Sequence, residues 1–125
     1  MILKNQAYRM AMLFDFYGDL LTERQKEFYD LYYNEDLSLA EIAENYGISR
    51  QGVRDVIVRA EAAMTEIEDK THIIRRFFRM QKEITAIEEA ADRLLQSVND
   101  RNYSDASLDE IGHTIKEAAA KLKQE

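Results

Sequence analysis

Apolar and polar residues alternate along this chain at helical spacing from end to end. Met10, Leu13, Phe14 and Tyr17 form a wide apolar stripe, which predicts a first helix from about Asn5 to Asp19, with Gly18 near its end. Thr22 followed by Gln25 makes a capping box that opens a second helix, with Phe28, Leu31 and Tyr32 facing inward. Asn34-Glu35-Asp36 is a polar break. From Leu37 to Arg59 the pattern predicts a helix, a tight turn and a second helix. Ser38 caps the first of these and Glu41 completes its box. Leu39, Ile42 and Ala43 form its apolar face, and Gly47 suits the left-handed position at its C-terminus. Ile48 is apolar within the turn and is expected to plug the gap between the two helices. Ser49 caps the next helix, whose inner face carries Val53, Ile57 and Ala60.

No stop follows Arg59, since Ala63, Met64 and Ile67 prolong the inner face to Thr71, a candidate N-cap or kink. A long segment then runs from about His72 to Asn99. Its residues Ile73, Phe77, Met80, Ile84, Ile87, Ala91, Leu94 and Val98 keep alternating spacings of four and three, a heptad-like seam widened by Ile74, Ala90 and Leu95. Such a rod is about 40 Å long and outruns a small domain. Asp100–Ala106 reads as a loop. Ser107 and Glu110 suggest one more capping box, and Leu108, Ile111, Ile115, Ala118 and Leu122 line a final helix that can fold back on the rod. The expected architecture is all-α. A four-helix N-terminal domain containing a helix-turn-helix (residues 1–70) is followed by a long helix and a C-terminal helix in an antiparallel hairpin (residues 71–125). The final helix is too short to cover the rod. Phe77, Met80, Ile84, Ile87, Ala91, Leu94 and Val98 are therefore expected to meet a second copy in a homodimer.

Composition supports helices: there is no proline, and only four glycines occur in 125 residues. Cysteine is absent, which removes disulfides and thiolate metal ligands and fits a cytoplasmic protein. The N-terminal stretch has no signal-peptide pattern and no apolar run is long enough for a membrane span, so no membrane insertion is expected. The net charge of −7 disfavours general attraction to nucleic acid. The charge is uneven, however. Asp15 to Glu44 holds nine acids and two bases, whereas Arg50 to Lys82 holds eight bases and five acids. The positive region thus begins at the second helix of the helix-turn-helix.

In that motif the second helix enters the major groove by its N-terminal end. Ser49, Arg50, Gln51, Arg54 and Arg59 are accordingly the candidate contacts to double-stranded DNA, with Arg suited to guanine edges, Gln to adenine edges and Arg59 to phosphate. A solvated face on an ordinary helical bundle is the competing reading. Arg75, Arg76, Arg79 and Lys82 form a second basic run that could touch phosphates of DNA or RNA, although a solvated rod face is the simpler expectation. The aromatics Phe14, Phe16, Tyr17, Phe28, Tyr29, Tyr32 and Tyr33 could line a ligand pocket or stack bases; filling a small core is the expected role. His72 and His113 stand apart without motif neighbours, and neither a phosphate-binding glycine loop nor metal-ligand spacing is present. No enzyme activity, cofactor or metal is expected.

Residues Leu13 to Val53 also resemble a known family. Leu13-Phe14, Phe16-Tyr17, Leu20-Leu21-Thr22 with Gln25, and Leu31-Tyr32-Tyr33 carry the likeness. Asp36, Ser38-Leu39, Glu41-Ile42-Ala43 and Ser49-Arg50-Gln51 continue it. This pattern resembles the YlxM family of small bacterial helix-turn-helix proteins, whose motif is similar to region 4 of sigma factors. The resemblance implies a cytoplasmic, all-helical, dimeric protein, a DNA-binding regulatory role, and a link to components of the signal recognition particle pathway. The alternative it leaves open is a protein or ribonucleoprotein adaptor that keeps the scaffold without reading DNA. The second helix departs from the family: where members often have Ala, Tyr, Asn and Lys, this chain has Gly52, Arg54, Val56 and Val58. Asp55 on the same helix would repel phosphate.

Overall fold

The computed structural model describes residues 2–124, with side-chain surroundings from residue 7 onward. Among the described residues there are six α-helices and no strand: α1 (Ile2–Tyr17), α2 (Glu23–Tyr33), α3 (Leu39–Tyr46), α4 (Arg50–Thr71), α5 (Ile73–Asn99) and α6 (Asp105–Lys123). The chain is all-α, as its periodicity requires. It divides into two compact units, one ending at Ile74 and the other beginning at Arg75.

The N-terminal unit is built on aromatic packing. Phe28, Tyr29, Ile42, Val53 and Met64 are its largest fully buried side chains, joined by Met10, Leu13, Tyr17, Ala43, Ile57 and Ala60. Phe14 stacks on Tyr29 with ring centroids 5.2 Å apart, and Tyr46 meets Phe28 edge-on at 4.9 Å. The sequence cluster of rings is therefore core. Its polar tips are satisfied: the Tyr29 hydroxyl donates to the Met10 carbonyl at 2.8 Å, and the Tyr33 hydroxyl donates to Glu61 on α4. Burial pushes the Tyr29 and Tyr33 hydroxyls well above their usual range, and for Tyr33 the hydrogen bond to Glu61 adds to it.

Helix boundaries follow the caps. The Thr22–Gln25 and Ser38–Glu41 boxes form with both arms between 3.0 and 3.2 Å. Three expectations need correction. The first helix ends at Tyr17, and Gly18–Leu20 forms a 3-10 turn; the Phe14 ring packs so closely on Gly18 that a Cβ there would lie 3.1 Å from it. The break after α4 falls at His72 and not at Thr71; His72 adopts the left-handed conformation (φ 55°, ψ 28°) and serves as a C-cap. The final helix starts before Ser107. Ser104 is its N-cap and accepts from the Ser107 amide at 3.1 Å, while the Ser107 hydroxyl oxygen accepts from the Ser104 amide at 2.9 Å. Ser107 thus fills the role usually taken by Glu or Gln, so the expected Ser107–Glu110 box gives way to one a turn earlier.

In the second unit α5 and α6 pack closely against each other. Arg93, Gln96 and Ser97 share a groove with Ser107, Glu110 and Ile111, while Arg79 and Lys82 share another with Lys121 and Leu122. That register makes the pair an antiparallel hairpin. Ala90, Ile111 and Ala118 are its buried residues, so small side chains let the helices approach. Ile84, Ile87, Ala91 and Leu94 are half-buried by the chain's own fold. Phe77, Met80, Leu95 and Val98 remain exposed at 41, 42, 66 and 55%. No helix among the described residues is long and apolar enough to cross a membrane.

Candidate nucleic-acid interface

The helix-turn-helix is α3, the Gly47-Ile48-Ser49 turn, and the first part of α4. Gly47 sits at φ 67°, ψ 33°, where a side chain would strain the backbone, and its N–H caps α3 by donating to the Ala43 carbonyl. Ile48 is half-buried against the core, as a plug between the helices should be. Ser49 returns to extended backbone (φ −76°, ψ 155°), and its Oγ accepts from the Gly52 amide at 3.0 Å. A Cβ on Gly52 would lie 3.2 Å from that same Oγ and 3.7 Å from Ile48, so glycine leaves the cap undisturbed.

With Val53, Ile57, Ala60 and Met64 buried, α4 can present only its opposite face. Ser49, Arg50, Gln51, Arg54, Asp55, Val58 and Arg59 are all exposed. All five candidates from the sequence are thus exposed, Ser49, Arg50, Gln51 and Arg54 at the start of α4 and Arg59 nearer its middle. The structure adds a contact that periodicity did not supply: Gln51 Nε2 donates to Asp55 Oδ1 at 2.9 Å. Spacing of four on a helix makes such a pair possible. Val56 is half-buried and packs against the core, so its apolar character has a structural use. Val58 is 44% exposed and has none.

The second basic run lies apart from this surface in the sequence and belongs to the C-terminal unit. Arg75, Arg76, Arg79 and Lys82 are exposed on the first turns of α5. There Arg79 and Lys82 line a groove of about 250 Å³ together with Glu83, Lys121, Leu122 and Gln124. Lys121 is a residue that the linear pattern could not assign to this patch, because only the hairpin register sets it beside Lys82. Among the described residues no group of three or more His, Asp or Glu side chains is placed to hold a metal ion.

A capped helix, a left-handed glycine turn and a second capped helix with an outward polar start define the motif. Comparison with known proteins agrees. Residues 4–105 match the family model described as "Putative helix-turn-helix protein, YlxM / p13 like". The chain belongs to the YlxM/p13-like family. A UPF0122 protein of Desulforamulus reducens is 45% identical over 80 residues, 64% of this chain and 68% of that protein. A second, from Symbiobacterium thermophilum, is 49% identical over 85 residues, 68% of this chain and 79% of its own length. A third, from Acetivibrio thermocellus, is 41% identical over 104 residues and covers 83% of this chain and 87% of its own. The YlxM/p13-like match ends at residue 105, where α6 begins, so the helix that closes the hairpin lies almost wholly beyond it.

Proposed function

We propose that this YlxM/p13-like chain is a cytoplasmic DNA-binding regulator that acts as a homodimer and performs no catalysis. The observation that carries the reading is the outward start of α4, where Ser49, Arg50, Gln51 and Arg54 are exposed on a helix whose inner face is fully committed to the core. Bidentate Arg and Gln side chains are the ones that read base edges, and Arg59 a few turns on suits a phosphate. The exposed Phe77, Met80 and Val98 supply the apolar surface that a second copy would cover, and a twofold pair would present two α4 starts to adjacent half-sites. Family resemblance adds the signal recognition particle pathway as the setting of that regulation.

One observation favours the adaptor instead. Asp55 occupies the outward face and engages Gln51, in a chain of net charge −7. That arrangement lowers affinity for phosphate and suits a protein or ribonucleoprotein partner, signal recognition particle components being the first to try. Fluorescence anisotropy against fragments of the source genome separates the two. Sub-micromolar binding at physiological salt, falling steeply as salt rises and lost in Arg50→Ala/Arg54→Ala, is the expected result. Absence of binding even at low salt refutes the regulator.

A further inference from the structure

α4 and α5 are separated by one residue. The segment Lys70-Thr71-His72-Ile73-Ile74 contains neither proline nor glycine, and its local stop signal is Thr71, whose Oγ1 accepts from the Ile73 amide at a long 3.4 Å. Yet His72 is left-handed, a conformation that a Cβ disfavours. The other non-glycine residues at positive φ, Asp36 and Arg101, lie in connecting loops, where no helix competes for them. At His72 one does: without the break, 22 residues of α4 and 27 of α5 would run on as a single helix.

A cluster of hydrogen bonds surrounds the junction. Glu68 Oε1 accepts from the Ile74 amide at 2.9 Å, which satisfies an N–H in the first turn of α5. The same oxygen accepts from the Tyr17 hydroxyl of α1 at 2.5 Å. The Tyr17 oxygen also lies 3.2 Å from Thr71 Oγ1, which donates to the Ile67 carbonyl at 2.8 Å and so ties the end of α4 into the cluster. Tyr17 is buried and Ile74 packs on the same core, so both ends of the contact are anchored.

We propose that Tyr17–Glu68–Ile74 is a latch that holds the junction broken at His72, and that its release lets α4 and α5 join as one continuous helix. The glutamate takes the place of a main-chain acceptor that a continuous helix would supply.

The test uses NMR on the isotope-labelled full chain. Wild type should show left-handed Cα and Cβ shifts at His72 and no helical medium-range contacts across it. In Glu68→Ala those shifts should move toward helical values, fully or as an exchange average, and contacts should appear from Lys70 and Thr71 to the residues after His72. Methyl signals of Val53 and Ile57 report whether the core stays folded. Adding His72→Gly, which removes the Cβ clash, should restore the break. Unchanged left-handed shifts in Glu68→Ala, or helical shifts that persist in the double variant, overturn the proposal. Should Glu68→Ala fold poorly, Tyr17→Phe carries the same test: a smaller helical shift at His72 supports the latch, and none refutes it.

Discussion

Gly47→Ala tests the physical basis of the helix-turn-helix with little else changed. A Cβ built at Gly47 meets no atom within 4 Å, so the substitution adds no clash. It leaves the cap bond to Ala43 available and touches none of the exposed residues of α4. What it adds is strain, because the backbone is held at φ 67°, ψ 33°. A left-handed L-residue costs about 1–2 kcal/mol. Alanine also restricts the unfolded chain, which returns about 0.4–1 kcal/mol. The expected net loss is therefore about 1 kcal/mol. For a unit of this size that lowers Tm by about 4–8 °C. Near-UV circular dichroism is a suitable probe, because six of the seven tyrosines lie in the N-terminal unit and there is no tryptophan. Gly47→Asn is the control, since asparagine tolerates this conformation better, and it should fall between alanine and wild type. An alanine variant as stable as wild type would refute the claim that positive φ fixes this position. So would an asparagine variant as unstable as alanine.

Two further outcomes follow from the cap of α4 and from the buried phenols. Ser49→Ala removes the acceptor for the Gly52 amide and should cost about 1 kcal/mol by urea denaturation; Ser49→Asp should restore that stability while weakening DNA binding, because it sets a negative charge where the regulator reading places DNA. Tyr29 and Tyr33 have folded pKa values raised above the ordinary 10.0, chiefly by burial, so the stability they contribute is complete below pH 10 and is lost as pH rises through the folded values. Unfolding followed by tyrosinate absorbance should thus be cooperative at alkaline pH, and Tyr33→Phe should move its onset upward; an onset that does not move assigns the transition to other groups.

Several features of the chain were legible as local chemistry. The Thr22, Ser38 and Ser49 caps, the glycine turn and the inner face Val53-Ile57-Ala60 each depend on residues within one or two turns, and each formed as read. The same holds for Arg50, Gln51 and Arg54: once the inner face is known, the outer one is fixed by 3.6 residues per turn. Where two local signals competed, reading was harder. Ser107 carries both a capping side chain and a Glu three residues on, but Ser104 captures it as a box partner, and one serine cannot cap and sit inside the same helix start.

By itself, then, the sequence determined an all-helical chain, the helix-turn-helix with its exposed α4 start, and the apolar seam of α5, because hydrogen bonds and periodicity within a helix are local. Tertiary structure alone decided the rest. It placed Lys121 in the groove with Arg79 and Lys82, because register between two helices depends on which side chains interlock. It moved the break from the expected Thr71 to His72, beside which the Ile74 amide finds a carboxylate that a tyrosine 51 positions away in sequence also binds. Contacts between residues so far apart leave no period in the chain; they exist only once the core that brings them together has formed.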